Sequence, residues 1–178
     1  MAMATFTFVH VALSLVGIGS GFVVLYGMLA AKRLDVWTGI FLASTVATSV
    51  TGFLFPVDRF LPSHAVGILS LLALAAAIVS RYAFHLVGIW RATYVISAVV
   101  SLYFNVFVLI AQLFLKVPFL KAMAPTQSEP PFVVSQSIAL ALFIVFANAA
   151  VIRFRVERGH ISSDSSVSDV NTFPTRQV

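Results

Sequence analysis

Apolar residues run along this chain in five long blocks, at residues 6–31, 36–55, 64–84, 92–115 and 132–152, separated by polar breaks. Each block holds about 20 residues or slightly more, the length of helix that crosses a hydrocarbon core of about 30 Å. Lipid offers no partner to backbone N–H and C=O groups, so an open chain crossing it must be helical. The pattern therefore predicts an all-α integral membrane bundle of five transmembrane helices over residues 1–156. Residues 157–178 are polar and Ser-rich, and are expected to form a disordered tail. The first block lacks a basic leader, exceeds the apolar length of a signal peptide and runs directly into Lys32 and Arg33. It is therefore expected to stay as a membrane helix.

Within the blocks, the positions of polar and small residues assign faces. On the fourth helix Tyr94, Ala98, Ser101, Asn105, Val108 and Gln112 fall within about 80° of arc at about 100° per residue. An amide turned to lipid would be unsatisfied, so this stripe is predicted to face other helices. On the first helix His10, Ser14, Gly17 and Gly21 share one face within about 60°. Gly17 and Gly21 make a small-xxx-small pair that lets a neighbouring backbone approach. The second helix carries Thr38, Thr45, Ser49 and Gly52 on one side, where hydroxyls can bond carbonyls of the preceding turn at little cost. The longest connection between blocks, residues 116–131, holds Pro118, Pro125, Pro130 and Pro131. Its apolar piece at 117–119 is suited to the membrane interface, and Pro131 to the first turn of the fifth helix.

Composition strengthens the membrane reading. Of the 178 residues 60% are hydrophobic and 10% charged, with a mean hydropathy of +1.03. Soluble domains carry about 25% charge, so a water-soluble fold of this size could not hide so much apolar surface. There is no cysteine, which removes disulfides, thiolate nucleophiles and Cys-type metal sites. The net charge of +5 would suggest nucleic acid in a soluble chain. Here the cations cluster at the ends of apolar blocks, where they record orientation, and no nucleic-acid partner is expected. Lys32, Arg33, Arg81, Arg91, Arg153, Arg155, Arg158 and Arg176 fall on one side, and Arg59, Lys116 and Lys121 on the other. The positive-inside rule then predicts the N-terminus outside and the C-terminus inside.

The carboxylates are Asp35, Asp58, Glu129, Glu157, Asp164 and Asp169, and none lies inside an apolar block. Proton-coupled pumps use an ionisable residue within the membrane, so that class is disfavoured. HExxH, GxSxG, P-loop and GxGxxG motifs are missing from the sequence, which disfavours the enzymes they mark. His10 and His64 fall at like depth on different helices, in a position to ligate haem b or hold a quinone near the outer surface. Asn105, Gln112, Asp58, Arg59 and Glu129 could line a ligand site or polar path. Arg81, Tyr82, His85, Trp90 and Arg91 read as an interfacial anchor on the inner side. Most of the chemically equipped residues, with Lys116, Lys121 and Gln136, belong to the outer third.

The runs TGFLFPVDRFLPSHAVGI and LYFNVFVLIAQLFLKVPFLKAMAPTQSEPPF resemble a group of small multi-pass membrane proteins of bacteria, over about residues 36–136. The resemblance implies a bacterial inner membrane and carries over no activity, cofactor or catalytic residue. The first reading is a non-catalytic accessory or interaction subunit, with the bilayer, other membrane subunits or further copies of itself as partners. Beside it stand a redox protein using His10 and His64, and a small transporter or channel using the Asn105–Gln112 stripe.

Overall fold

A computed structural model describes residues 2–55 and 62–154. The expectations for Asp58, Arg59 and the tail at 157–178 lie outside the described residues. The described chain is helical, without strands. Helices α1 (Ala2–Leu29), α2 (Asp35–Phe53), α3 (Pro62–Ile78), α4 (Ile89–Lys116), α5 (Pro118–Met123) and α6 (Pro130–Arg153) follow in order, and α3 continues into a π-helical turn at Val79–Ala83. Five of these helices are long and apolar enough to cross a membrane, the architecture of a multi-pass membrane protein. Large apolar side chains such as Phe8, Leu72, Val145 and Ile152 are exposed on the outside of the bundle.

Helix ends agree with the expected blocks to within a few residues, with two differences. The π turn ends α3 within its own apolar block. The connection at 116–131 is not loop throughout, because Pro118 starts the short α5 as its first residue, where its missing N–H costs nothing. That connection is also tied down: Gln127 Nε2 donates to the Ala111 carbonyl at 2.7 Å, and Ala124 is fully buried.

Helix α1 stops in a reverse bond in which Lys32 N–H donates to the Gly27 carbonyl at 2.8 Å, with Ala31 at a positive φ of 56°. This is a Schellman ending with alanine at the position glycine usually takes.

Helix α4 is the centre of the packing and touches α1, α3 and α6; α2 lies between α1 and α3. Gly17 and Gly21 are points of close approach between α1 and its neighbours. A Cβ on Gly21 would stand 2.5 Å from Leu102 Cδ1 and 3.0 Å from the Phe41 ring, and one on Gly17 would stand 3.1 Å from Thr45 Oγ1. The core around them comprises Val24, Leu25, Met28, Phe41, Leu42, Val99 and Leu102. The bundle therefore has two ends. The N-terminal end gathers the start of α1, the end of α2 and the start of α6. The C-terminal end gathers the end of α1, the start of α2 and the end of α6.

Candidate functional site

A cluster of polar side chains from three helices lies at the C-terminal end. Arg81, which the sequence places in an interfacial cluster, is only 6% exposed. It continues the buried face of α3, since Ser70, Leu74, Ala77 and Arg81 recur at helical spacing within about 60° of arc and all four are buried; the π turn redirects the residues that follow. Phe84 N–H closes on the Val79 carbonyl at 3.1 Å, and Leu86 N–H on the Ser80 carbonyl at 3.0 Å. His85 and Leu86 then adopt positive φ, 48° and 60°, and His85 is left exposed while Ser80 and Arg81 are buried. Phe84 stacks on Trp90 at 3.8 Å between ring centres and closes the corner.

Arg81 Nη2 donates to Asp35 Oδ1, and this ion pair joins the end of α3 to the start of α2. Its carboxylate side is 69% exposed, so only the guanidinium bears the cost of burial. Arg81 Nη1 donates to Tyr94 Oη at 3.3 Å, and its carbon lies 5.3 Å from the Tyr94 ring centre, within cation–π range. Tyr94 Oη is 3.5 Å from Thr38 Oγ1, which donates to the Leu34 carbonyl at 2.9 Å. Donors thus run from α3 through α4 to the first turn of α2, where Asp35 also complements the helix dipole. A cavity of about 10 Å³ opens among Lys32, Arg33, Thr38, Arg81 and Tyr94, about what one water molecule needs. Such a site has room for one water and cannot enclose a metabolite.

Asn105 lies in the middle of the bundle, and its Nδ2 donates to Thr45 Oγ1 at 3.2 Å, opposite Gly17. Its amide therefore joins α4 to α2. Gln112, at the far end of the same stripe, is exposed, so the packed stripe ends between these two residues. Gln136 is buried and donates from Nε2 to the Phe107 carbonyl at 3.1 Å. Its Oε1, with Thr48 Oγ1 and Ser80 Oγ, has no hydrogen-bond partner among the described residues.

At the N-terminal end His10 and His64 meet different sides of α2. His10 Nδ1 is 2.8 Å from Thr51 Oγ1. The Thr51 hydroxyl has one proton and lies 2.7 Å from the Ala47 carbonyl. The imidazole is then the donor at Nδ1, which leaves Nε2 as its acceptor. The His10 ring also meets Phe55 edge-on at 5.2 Å. His64 stacks on Phe53 at 5.6 Å. Thr51 and Phe53 point about 200° apart on α2, so that helix stands between the two histidines. Among the described residues no three His, Cys, Asp or Glu side chains gather into a metal-sized group.

Glu129 caps the turn before α6 by accepting from Thr126 Oγ1 at 2.9 Å and from the backbone N–H of Thr126 and Ser128, each at 3.1 Å. Desolvation works to raise its pKa, but the bond from the Thr126 hydroxyl and the backbone bonds together hold the carboxyl below the usual glutamate value. Its role there is to fix the connection.

Sequence reasoning passed over Arg81 as a buried group, although Ser70, Leu74, Ala77 and Arg81 recur at helical spacing on one face of α3. It also passed over Asn148, which is exposed on α6; plotting α6 on a wheel would have isolated that amide. No protein family matches the chain, and neither a curated protein nor a solved structure is significantly similar to it.

Proposed function

We propose that this is a multi-pass protein of a bacterial inner membrane, N-terminus outside and C-terminus inside, working as a non-catalytic accessory or interaction subunit. The observation that carries the reading is where the interior polar side chains spend their hydrogen bonds. Arg81 bonds Asp35 and Tyr94, Tyr94 contacts Thr38, Asn105 bonds Thr45, His10 bonds Thr51, and Gln136 bonds the Phe107 carbonyl. Each of these joins one helix to another. Polar groups used in this way hold a bundle in one arrangement, which is what a scaffold for partners requires. The orientation is supported by Lys32, Arg33, Arg81, Arg91 and Arg153 at the C-terminal end against Lys116 and Lys121 at the other, among the described residues.

The test is an absorption spectrum with metal analysis on protein purified in mild detergent. A colourless, metal-free protein is expected. A Soret band that disappears in His10→Ala or His64→Ala would overturn the reading in favour of a haem b redox protein, with His10 Nε2 as the ligating atom.

A further inference from the structure

Asn148 stands on a face of α6 that no described helix covers. Helix α6 packs on α4 and α1 and buries Gln136, Ala139, Phe143 and Ala150, which fall within about 60° of arc. Ser137, Ala141, Ile144, Asn148 and Ile152 fall within about 80° on the far side, and all five are exposed. Asn148 Nδ2 donates to the Ile144 carbonyl at 2.8 Å. That bond uses one of its two protons and leaves the second N–H and Oδ1 unspent among the described residues. Asn148 lies about 10 Å along the axis from the middle of α6, inside a hydrocarbon half-thickness of about 15 Å. An amide at that depth needs a partner, since lipid supplies none.

We infer that α6 is a homodimerisation helix, and that the occupant of this face is a second copy of the chain, parallel to the first. The inference rests on the reading of the chain as a membrane-inserted interaction protein. Copies of one chain insert the same way round, so a two-fold axis along the membrane normal sets each residue opposite itself at the same depth. A side-chain amide is donor and acceptor together, so Asn148 satisfies Asn148, and the Ser137 hydroxyl pairs with its own copy in the same manner. A different partner would need matching polar groups at two depths about 16 Å apart; a second copy has them by symmetry. Ser137 and Ala141, one turn apart, are small enough for the two backbones to approach, and one polar residue in such a seam sets its register.

The cysteine-free sequence makes the test clean. Single replacements Ala141→Cys and Ile144→Cys, oxidised in native membranes, are expected to give disulfide-linked dimers. Ile138→Cys and Leu142→Cys, which point about 80° or more from the centre of the seam, are expected to stay monomeric. In bilayer fluorescence transfer, Asn148→Val is expected to weaken the dimer about 3- to 30-fold, the range one interhelical hydrogen bond carries in lipid, and Asn148→Gln to retain it. Equal cross-linking at all four positions, none at positions 141 and 144, or an unchanged affinity in Asn148→Val overturns the homodimer. Cross-links from these positions to another protein overturn the second copy as occupant. Extraction of the chain by alkaline carbonate is a separate outcome and removes the membrane reading itself.

Discussion

Arg81 and Asp35 form one ion pair with unequal partners. The guanidinium is buried and the carboxylate is exposed. Removing Asp35 leaves a buried cation without its counter-charge, whereas removing Arg81 leaves an acid already solvated. Breaking a fully buried pair costs about 3–5 kcal/mol, and exposure on one side discounts that figure. Asp35→Asn is therefore expected to lower the unfolding free energy in mixed micelles by about 2 kcal/mol. Arg81→Met, which keeps the stem packed against Tyr94, is expected to lose about 1 kcal/mol or less. The double variant should recover most of the Asp35→Asn loss, because the two residues are coupled. Equal losses from the two single changes would show that the pair is not asymmetric in energy as it is in burial.

At the scale of the element, α1 is placed by what its glycines lack. Gly21 admits Leu102 of α4 and Phe41 of α2 to its backbone, while Gly19, two residues away, has nothing within 4 Å of where a Cβ would stand. Gly21→Val is expected to cost about 1–3 kcal/mol through overpacking. Gly19→Val is expected to stay within about 0.5 kcal/mol of the parent. Thermal unfolding in detergent compares the two, and a Gly21 variant as stable as the Gly19 variant would mean that α1 does not dock there. The same face was legible beforehand, because His10, Ser14, Gly17 and Gly21 recur at helical spacing and local periodicity survives into the folded state. The π turn at Val79–Ala83 was not legible. Its residues, Val-Ser-Arg-Tyr-Ala, would suit an ordinary helix end, and the Arg81 side chain within it bonds Asp35, 46 residues away, and Tyr94 of the next helix.

For the whole molecule, the distribution of cations is the property that bears on threading. A phosphatase reporter fused after Val178 is expected to be inactive, and a fluorescent protein that matures only in the cytoplasm is expected to glow. The reverse pattern would invert the proposed orientation, and with it the side on which the Arg81 cluster and the His10 and His64 rings emerge. Internal geometry would be unaffected, since the helix contacts do not depend on which way the bundle faces.

By itself the sequence determined the number of long apolar helices and the face that α1 turns inward. These follow from short-range rules: run length against bilayer thickness, backbone satisfaction in lipid and the repeat of the helix. Only the tertiary structure decided which helix meets which. It set α2 between His10 and His64, joined Asn105 to Thr45 and ended the packed stripe before Gln112. It also paired Arg81 with a carboxylate 46 residues earlier and left Asn148 on the uncovered side of α6. The physical reason is that periodicity specifies a direction around one helix axis, while a neighbour is chosen by the shape and charge of all the others.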